Sequence, residues 1–150
     1  MTTVTHSLQP RLSASALAPA VHKAMAAFDR SIELDPPLRE LVKIRASQIN
    51  GCAYCLDLHT RDARAAGEDE RRLATLAAWR EAHFFTDRER AALALTDAVT
   101  RLGEHGVTDD VWAEAAAHFD DVELAQLVWA IAAINAWNRI GVATHLMPAP

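Results

Sequence analysis

Along most of the chain apolar residues recur at spacings of three and four, and no segment sustains the strict alternation of a half-buried strand. Leu17, Val21, Met25, Phe28 and Ile32 form one such stripe, which predicts an amphipathic helix from about Ala16 to Ile32 that holds Pro19 only in its first turn. Asp35 before Pro36 and Pro37 offers an N-cap and a proline start for a second helix, through Leu38, Leu41, Val42, Ile44 and Ala46 to about Ile49. Asn50-Gly51 breaks it. Cys52 opens a third helix, which carries Cys55, Leu58 and Ala63 and stops at Gly67. A fourth runs from roughly Asp69 to Ala82. Thr86-Asp87-Arg88-Glu89 has the form of a capping box opening a fifth through Leu93, Val99 and Leu102, which Glu104-His105-Gly106 ends. Thr108 caps a sixth over Asp109 to His118, and Asp120 or Asp121 starts a seventh that reaches about His145.

The pattern predicts an all-α protein of about seven helices in one domain spanning residues 1–150. Residues 1–12 lack periodicity and read as a loose or extended arm free to fold over a neighbour. In the seventh helix Val128, Trp129, Ile131, Ala132, Ile134, Ala136 and Trp137 point in almost every direction, more apolar surface than one core-facing stripe requires. The surplus predicts burial on several sides, part of it against other subunits of a homo-oligomer.

Composition narrows the function classes. The chain is 51% hydrophobic with alanine and leucine carrying most of that mass, a mixture that favours helices. Its formal net charge is −5 and its basic residues are scattered, which argues against a nucleic-acid or anionic-membrane partner. No apolar run approaches the ~20 residues of a membrane span. Met1 to Arg11 lacks the apolar core of a secretory signal, so a cytoplasmic protein is expected. A reducing compartment disfavours permanent structural disulfides. The two cysteines, three residues apart, therefore point to redox or metal chemistry.

On a helix opening at Cys52, the two sulfurs sit about 60° apart around the axis and about 4.5 Å apart along it, with α-carbons in the range a disulfide bridges. The helix N-terminus stabilises a thiolate, and Cys52, nearer the loop, is expected to gain most and to be the more exposed. His59 follows Cys55 by four residues and can take its proton directly, whereas it reaches Cys52 only through Cys55 or a water. A thiolate so formed can attack a peroxide O–O bond to give a sulfenic acid, which the second cysteine condenses into a disulfide. A zinc site would need two further ligands from distant histidines such as His22, His83 or His145. Haem attachment is excluded, because Leu56 stands where CxxCH requires histidine. Local pairing makes Glu40 a helix carboxylate beside Lys43 or Arg39, and Arg45 and Gln48 surface residues. Trp129, Trp137 and Asn135 read as packing residues, with Asn135 satisfying a buried backbone group.

The stretch Glu40-Leu-Val-Lys-Ile-Arg-Ala-Ser-Gln-Ile-Asn-Gly-Cys-Ala-Tyr-Cys-Leu-Asp-Leu-His59 resembles the core of the AhpD-like alkylhydroperoxidases of the carboxymuconolactone decarboxylase superfamily. The likeness in pattern extends through Trp79 to Leu102 and Asn135 to Ile140. It implies an AhpD-like helical fold assembled as trimers or hexamers, with antioxidant peroxidase activity and no bound cofactor. Electrons would come from an external dithiol, a lipoyl-bearing or thioredoxin-like protein. Carried over, Cys52 and Cys55 become the redox pair, and His59 and Glu40 members of a proton relay. The family's best-known member has a histidine between its cysteines where this chain has Tyr54, so that histidine's role does not transfer. The leading expectation is peroxide reduction, with Cys55 attacking, His59 as base, Glu40 orienting it and Cys52 resolving. A disulfide reductase or redox relay without peroxide turnover is the alternative. A lactone decarboxylase, which needs no CxxC, and a non-catalytic scaffold have less support.

Overall fold

The computed structural model describes residues 8–150, and among them every regular element is helical. Helices α1 (Ala14–Leu17), α2 (Pro19–Ser31), α3 (Pro36–Asn50), α4 (Ala53–Ala65) and α5 (Glu70–Thr75) precede a 3₁₀ segment, Leu76–Glu81. Helices α6 (Asp87–Thr100), α7 (Asp109–His118) and α8 (Asp121–Thr144) follow. The eight α-helices exceed the seven expected because one stripe is interrupted. The first predicted helix is two, α1 ending where Pro19 becomes the first residue of α2. The predicted fourth helix is α5 followed by the 3₁₀ segment, in which Ala78 leaves helical geometry at φ −120° and ψ 38°.

Two of the capping signals act as expected, whereas Thr108 stands at the N-cap of α7 without a side-chain capping bond. Thr86 and Asp120 each close a complete capping box, with Glu89 and Glu123 returning the bond to the cap backbone. Asp35 stands at the N-cap of α3 with proline behind it, but its side chain makes no capping bond. Gly51 ends α3 in the left-handed region at φ 68°, a conformation that costs glycine nothing and turns the chain at once into α4.

Helix α3 is the central element, packing against α4, α6 and α8. Its residues divide between two cores. Leu38 and Val42 join Leu95, Leu127, Ile131 and Phe119, while Leu41 and Ile44 join Leu73, Leu76, Trp79, Phe85 and Leu93. Burying such side chains stabilises the fold by roughly 1.5–3 kcal/mol each. Helix α2, by contrast, contains no fully buried residue. It lies along α8 through Phe28 against Trp129 and His22 against Trp137, both edge-to-face with centroids 5.6 Å apart.

Within the chain, Leu124, Leu127, Ile131, Ile134 and Asn138 of α8 face inward, while Val122, Trp129 and Ile140 are exposed. The expected loose arm falls partly outside the described residues. Within them Arg11 donates its N–H to the Thr144 carbonyl at 2.8 Å, folding the segment onto the end of α8 of its own chain. No helix among the described residues is long and apolar enough to cross a membrane.

Candidate redox site

The site is built where α3 turns into α4. Cys52 is the N-cap of α4, with extended backbone at φ −87° and ψ 99°, and not the first helical residue as the periodicity suggested. Its Sγ accepts the Cys55 N–H at 3.3 Å, doing with sulfur what serine or aspartate oxygen does at other caps. Cys52 and Cys55 are joined as a disulfide with α-carbons 5.3 Å apart, inside the expected range. The expectation of an exposed Cys52 is overturned: Cys52 is 2% exposed and Cys55 4%. Proximity to a loop does not confer exposure here because α8 passes over the pair, and a Cβ built on Gly141 would lie 2.8 Å from Cys52 Sγ.

Glu40 and His59 meet across the α3–α4 packing, His59 Nδ1 lying 3.1 Å from Glu40 Oε2. Nineteen residues separate them in sequence, but both helices run back from the same turn, which brings the second turn of α3 beside the second of α4. The local pairings expected for Glu40 do not form. Lys43 donates to Asp29 at 3.1 Å, and Arg39 donates to the Ile32 and Leu34 carbonyls. The His59 and Glu40 side chains retain 11% and 20% of their exposure, so the pair is largely removed from water. In a neutral imidazole, donation of Nδ1–H to the carboxylate leaves Nε2 as the acceptor nitrogen. On α4, His59 and Cys55 share a face at i and i+4.

A polar network fixes α8 against this turn. Asn138, wholly buried, donates to Ser47 Oγ at 2.9 Å and accepts from Asn50 Nδ2 at 2.9 Å. Ser47 donates to the Lys43 carbonyl, and the Ser47 carbonyl accepts the Cys52 N–H at 3.1 Å. Asn135 extends the network, donating to Thr100 Oγ1 and to the Ile131 carbonyl and accepting from Asn50. It satisfies a backbone group, as expected, and bridges α3, α6 and α8 besides.

The opposite face of α3 carries a second polar centre. Arg45, 8% exposed, grips Asp97 of α6 with Nε on Oδ1 at 2.7 Å and Nη2 on Oδ2 at 3.2 Å. Arg80 and the Trp79 indole N–H also donate to Asp97. Burial pushes the Asp97 carboxyl up, but the hydrogen bonds from Arg45 and Arg80, the Arg45 charge and the Trp79 N–H outweigh it and hold the group below the usual carboxylate range. Arg45 is therefore no surface residue, a correction to local pairing by a partner 52 positions away. Gln48 is half-buried, and its Oε1 is buried without a partner among the described residues.

For metal binding, one donor atom each from Glu40, His59 and Asp62 lies within 4.8 Å of the others, and Asp62 is exposed. Three donors fall short of the four that structural zinc takes. Among the described residues this is the one such group, and neither cysteine belongs to it. His22 meets Trp137 edge-to-face and His83 lies at a tilt against Phe84, and neither belongs to this group. Sequence reasoning missed Gly141, Asn138 and Ser47 as parts of the site. The available signals were a glycine inside a long helix and isolated polar residues on apolar faces.

A family model described as the carboxymuconolactone decarboxylase family matches residues 19–98, a span that includes Glu40, both cysteines and His59. The chain is 41% identical over 119 residues to the uncharacterized protein YdfG of Bacillus subtilis, covering 79% of this chain and 81% of that one. Its fold matches a solved protein of unknown function from Agrobacterium tumefaciens whose name associates it with the antioxidant defence protein AhpD. The TM-score is 0.91 at 37% identity, over 95% of this chain and 99% of that one. The debrominase Bmp8 shares the fold at 19% identity, with a TM-score of 0.78 over 89% of this chain and 74% of that one.

Proposed function

The chain belongs to the carboxymuconolactone decarboxylase family as an AhpD-like member, and from that premise we propose that it is a dithiol peroxidase that reduces hydrogen peroxide or organic hydroperoxides. The observation that carries the reading is the Cys52–Cys55 disulfide on the α4 cap together with the Glu40–His59 pair one turn away. In the reduced enzyme Glu40 holds His59 through Nδ1, and Nε2 takes the Cys55 thiol proton. The Cys55 thiolate attacks the peroxide, breaking the O–O bond to give Cys55 sulfenic acid, and the alkoxide or hydroxide takes a proton and leaves as alcohol or water. Cys52 then displaces hydroxide from the sulfenic sulfur, which leaves as water on taking the thiol proton, and the disulfide forms. An external dithiol, a lipoyl-bearing or thioredoxin-like protein, restores both thiols and becomes a disulfide itself. No bound cofactor enters the cycle. Burial of both sulfurs favours a small, uncharged peroxide over a bulky one.

One equivalent of peroxide added to reduced protein is expected to remove two thiols and two hydrogens, read by thiol titration and intact mass. Cys52→Ser is expected to leave a trappable sulfenic acid on Cys55. Trapping that survives in Cys55→Ser and is lost in Cys52→Ser reverses the order of attack. Reversible disulfide formation with no peroxide consumed in the presence of a dithiol replaces this reading with a disulfide reductase or redox relay.

Assembly as a homo-oligomer, a trimer or hexamer, is part of the proposal, with a second copy of the chain covering the outward side of α8. Between Val122 and Ala143 the exposed positions of that side are apolar except Arg139. The side adjoins a groove of 260 Å³ lined by Phe28, Ser31, Ile32, Gln126 and Trp129, and apolar residues exposed along one helix side mark a surface for subunit contact. Light scattering should give a multiple of the chain mass that Trp129→Glu with Ile140→Glu reduces to one. A monomeric native protein overturns it.

A further inference from the structure

Of the five glycines, Gly141 alone lies inside a helix. A helix interior is where glycine is least favoured and alanine most favoured, and α8 uses alanine freely at Ala125, Ala130, Ala132, Ala133, Ala136 and Ala143. The exception has a steric cause. A Cβ at position 141 would stand 2.8 Å from Cys52 Sγ, closer than real Cβ contacts come, and 3.7 Å from Cys55 Sγ. Helix α8 is not free to back away. One turn earlier Asn138 is bonded to Ser47 and Asn50. On the other side Arg11 ties the Thr144 carbonyl at 2.8 Å. The adjustment to any added atom must come from the sulfurs.

We propose that Gly141 is a positioning residue of the dithiol, its missing side chain setting the clearance between α8 and Cys52 Sγ and thereby the balance between disulfide and dithiol. In the disulfide, the bond to Cys55 pins Cys52 Sγ against α8. When two electrons and two protons open the bond, Cys52, an N-cap residue on extended backbone, regains rotation about its Cα–Cβ bond and can turn its sulfur away. A methyl group at 141 therefore opposes the closed state more than the open one. The inference rests on the redox reading of Cys52 and Cys55 and not on the identity of the oxidant.

The test uses full-length Gly141→Ala in buffers of reduced and oxidised dithiothreitol, the thiols being counted by mass. The equilibrium is expected to shift at least tenfold toward the dithiol, about 30 mV by the two-electron relation. The Tm of the oxidised form should fall, while that of the reduced form stays level or rises. In a Cys52→Ala background, where no sulfur stands in the way, Gly141→Ala should not lower Tm, which keeps the test open if the oxidised single variant folds poorly. An unchanged equilibrium with equal loss of Tm in both redox states overturns the proposal and leaves Gly141 a packing position. So does a loss of Tm that persists without Cys52. Native protein that cycles reversibly with dithiothreitol but consumes no peroxide overturns the peroxidase reading alone.

Discussion

Helix α3 carries an ionisable cluster on each of two faces, and they are built to opposite specifications. On one, Asp97 receives four side-chain hydrogen bonds, two from Arg45 and one each from Arg80 and Trp79, and Arg45 has a further bond to the Ala77 carbonyl. On the other, Glu40 and His59 share a single hydrogen bond. The first cluster has no vacancy: moving a proton or a side chain there exposes an uncompensated buried charge. The second keeps one ring nitrogen and three carboxylate lone pairs uncommitted. A buried group that holds the fold is saturated with partners, whereas the pair that passes a proton in the proposed cycle is left short of them.

Breaking Asp97 should give the largest effect on stability. Asp97→Ala leaves Arg45 buried without its counter-charge and should cost about 3–5 kcal/mol in urea unfolding. Peroxide turnover per folded molecule should be unaffected at a temperature where the variant is folded. A comparable fall in turnover would mean that the two faces are coupled through α3. His59→Ala should slow thiol oxidation by about 10²–10⁴-fold in single-turnover stopped flow, while truncating this buried side chain and unpairing Glu40 should cost about 1–3 kcal/mol, less than Asp97→Ala. Glu40→Gln retains a hydrogen-bond acceptor for Nδ1–H but no charge, and should lower the same rate by roughly 10–100-fold.

Acid should separate the faces further. Asp97 and Glu89 are both held below the ordinary carboxylate range. In each, burial pushes up and is outweighed, by Arg45 and Arg80 for Asp97 and by Arg72 and the Thr86 backbone for Glu89. A depressed carboxyl contributes stability that is fully present above its unfolded value, about 4 for either residue, and is lost as pH falls through the folded value. Urea midpoints should therefore be insensitive to these groups from pH 7 to 5 and fall below about pH 4, with a shallower fall in Asp97→Asn. The smallest effect belongs to a cap remote from both faces. Asp120→Ala removes one side of the α8 capping box and should cost about 1 kcal/mol without touching either rate or the acid slope.

The helices were largely legible because their signals are local: Thr86 with Glu89, Asp120 with Glu123, Gly51 after Asn50. The misplaced boundaries lie where two local signals compete, as at Pro19 inside an otherwise continuous stripe, or where packing of Leu76 and Trp79 pulls the chain out of α-helical geometry around Ala78. In the candidate site, the disulfide spacing and the His59–Cys55 face follow from helical geometry alone. The meeting of Glu40 with His59 does not, nor does that of Arg45 with Asp97, because spacing carries no information about which helices lie side by side.

The all-helical class, most caps, the bridging distance of Cys52 and Cys55 and the family resemblance were all legible in the order of the residues. The first three depend on residues within one or two turns of one another, where backbone geometry is the same in any fold, and the resemblance on the motif from Glu40 to His59. Tertiary structure alone decided that both sulfurs are buried and that Gly141 lies against the disulfide, and it set Glu40, which the resemblance had grouped with His59, away from Lys43. Those outcomes depend on where α8 crosses the α3–α4 turn. That crossing is set by Asn138, Ser47 and Asn50 and by core packing summed over the whole helix, and no local signal encodes it.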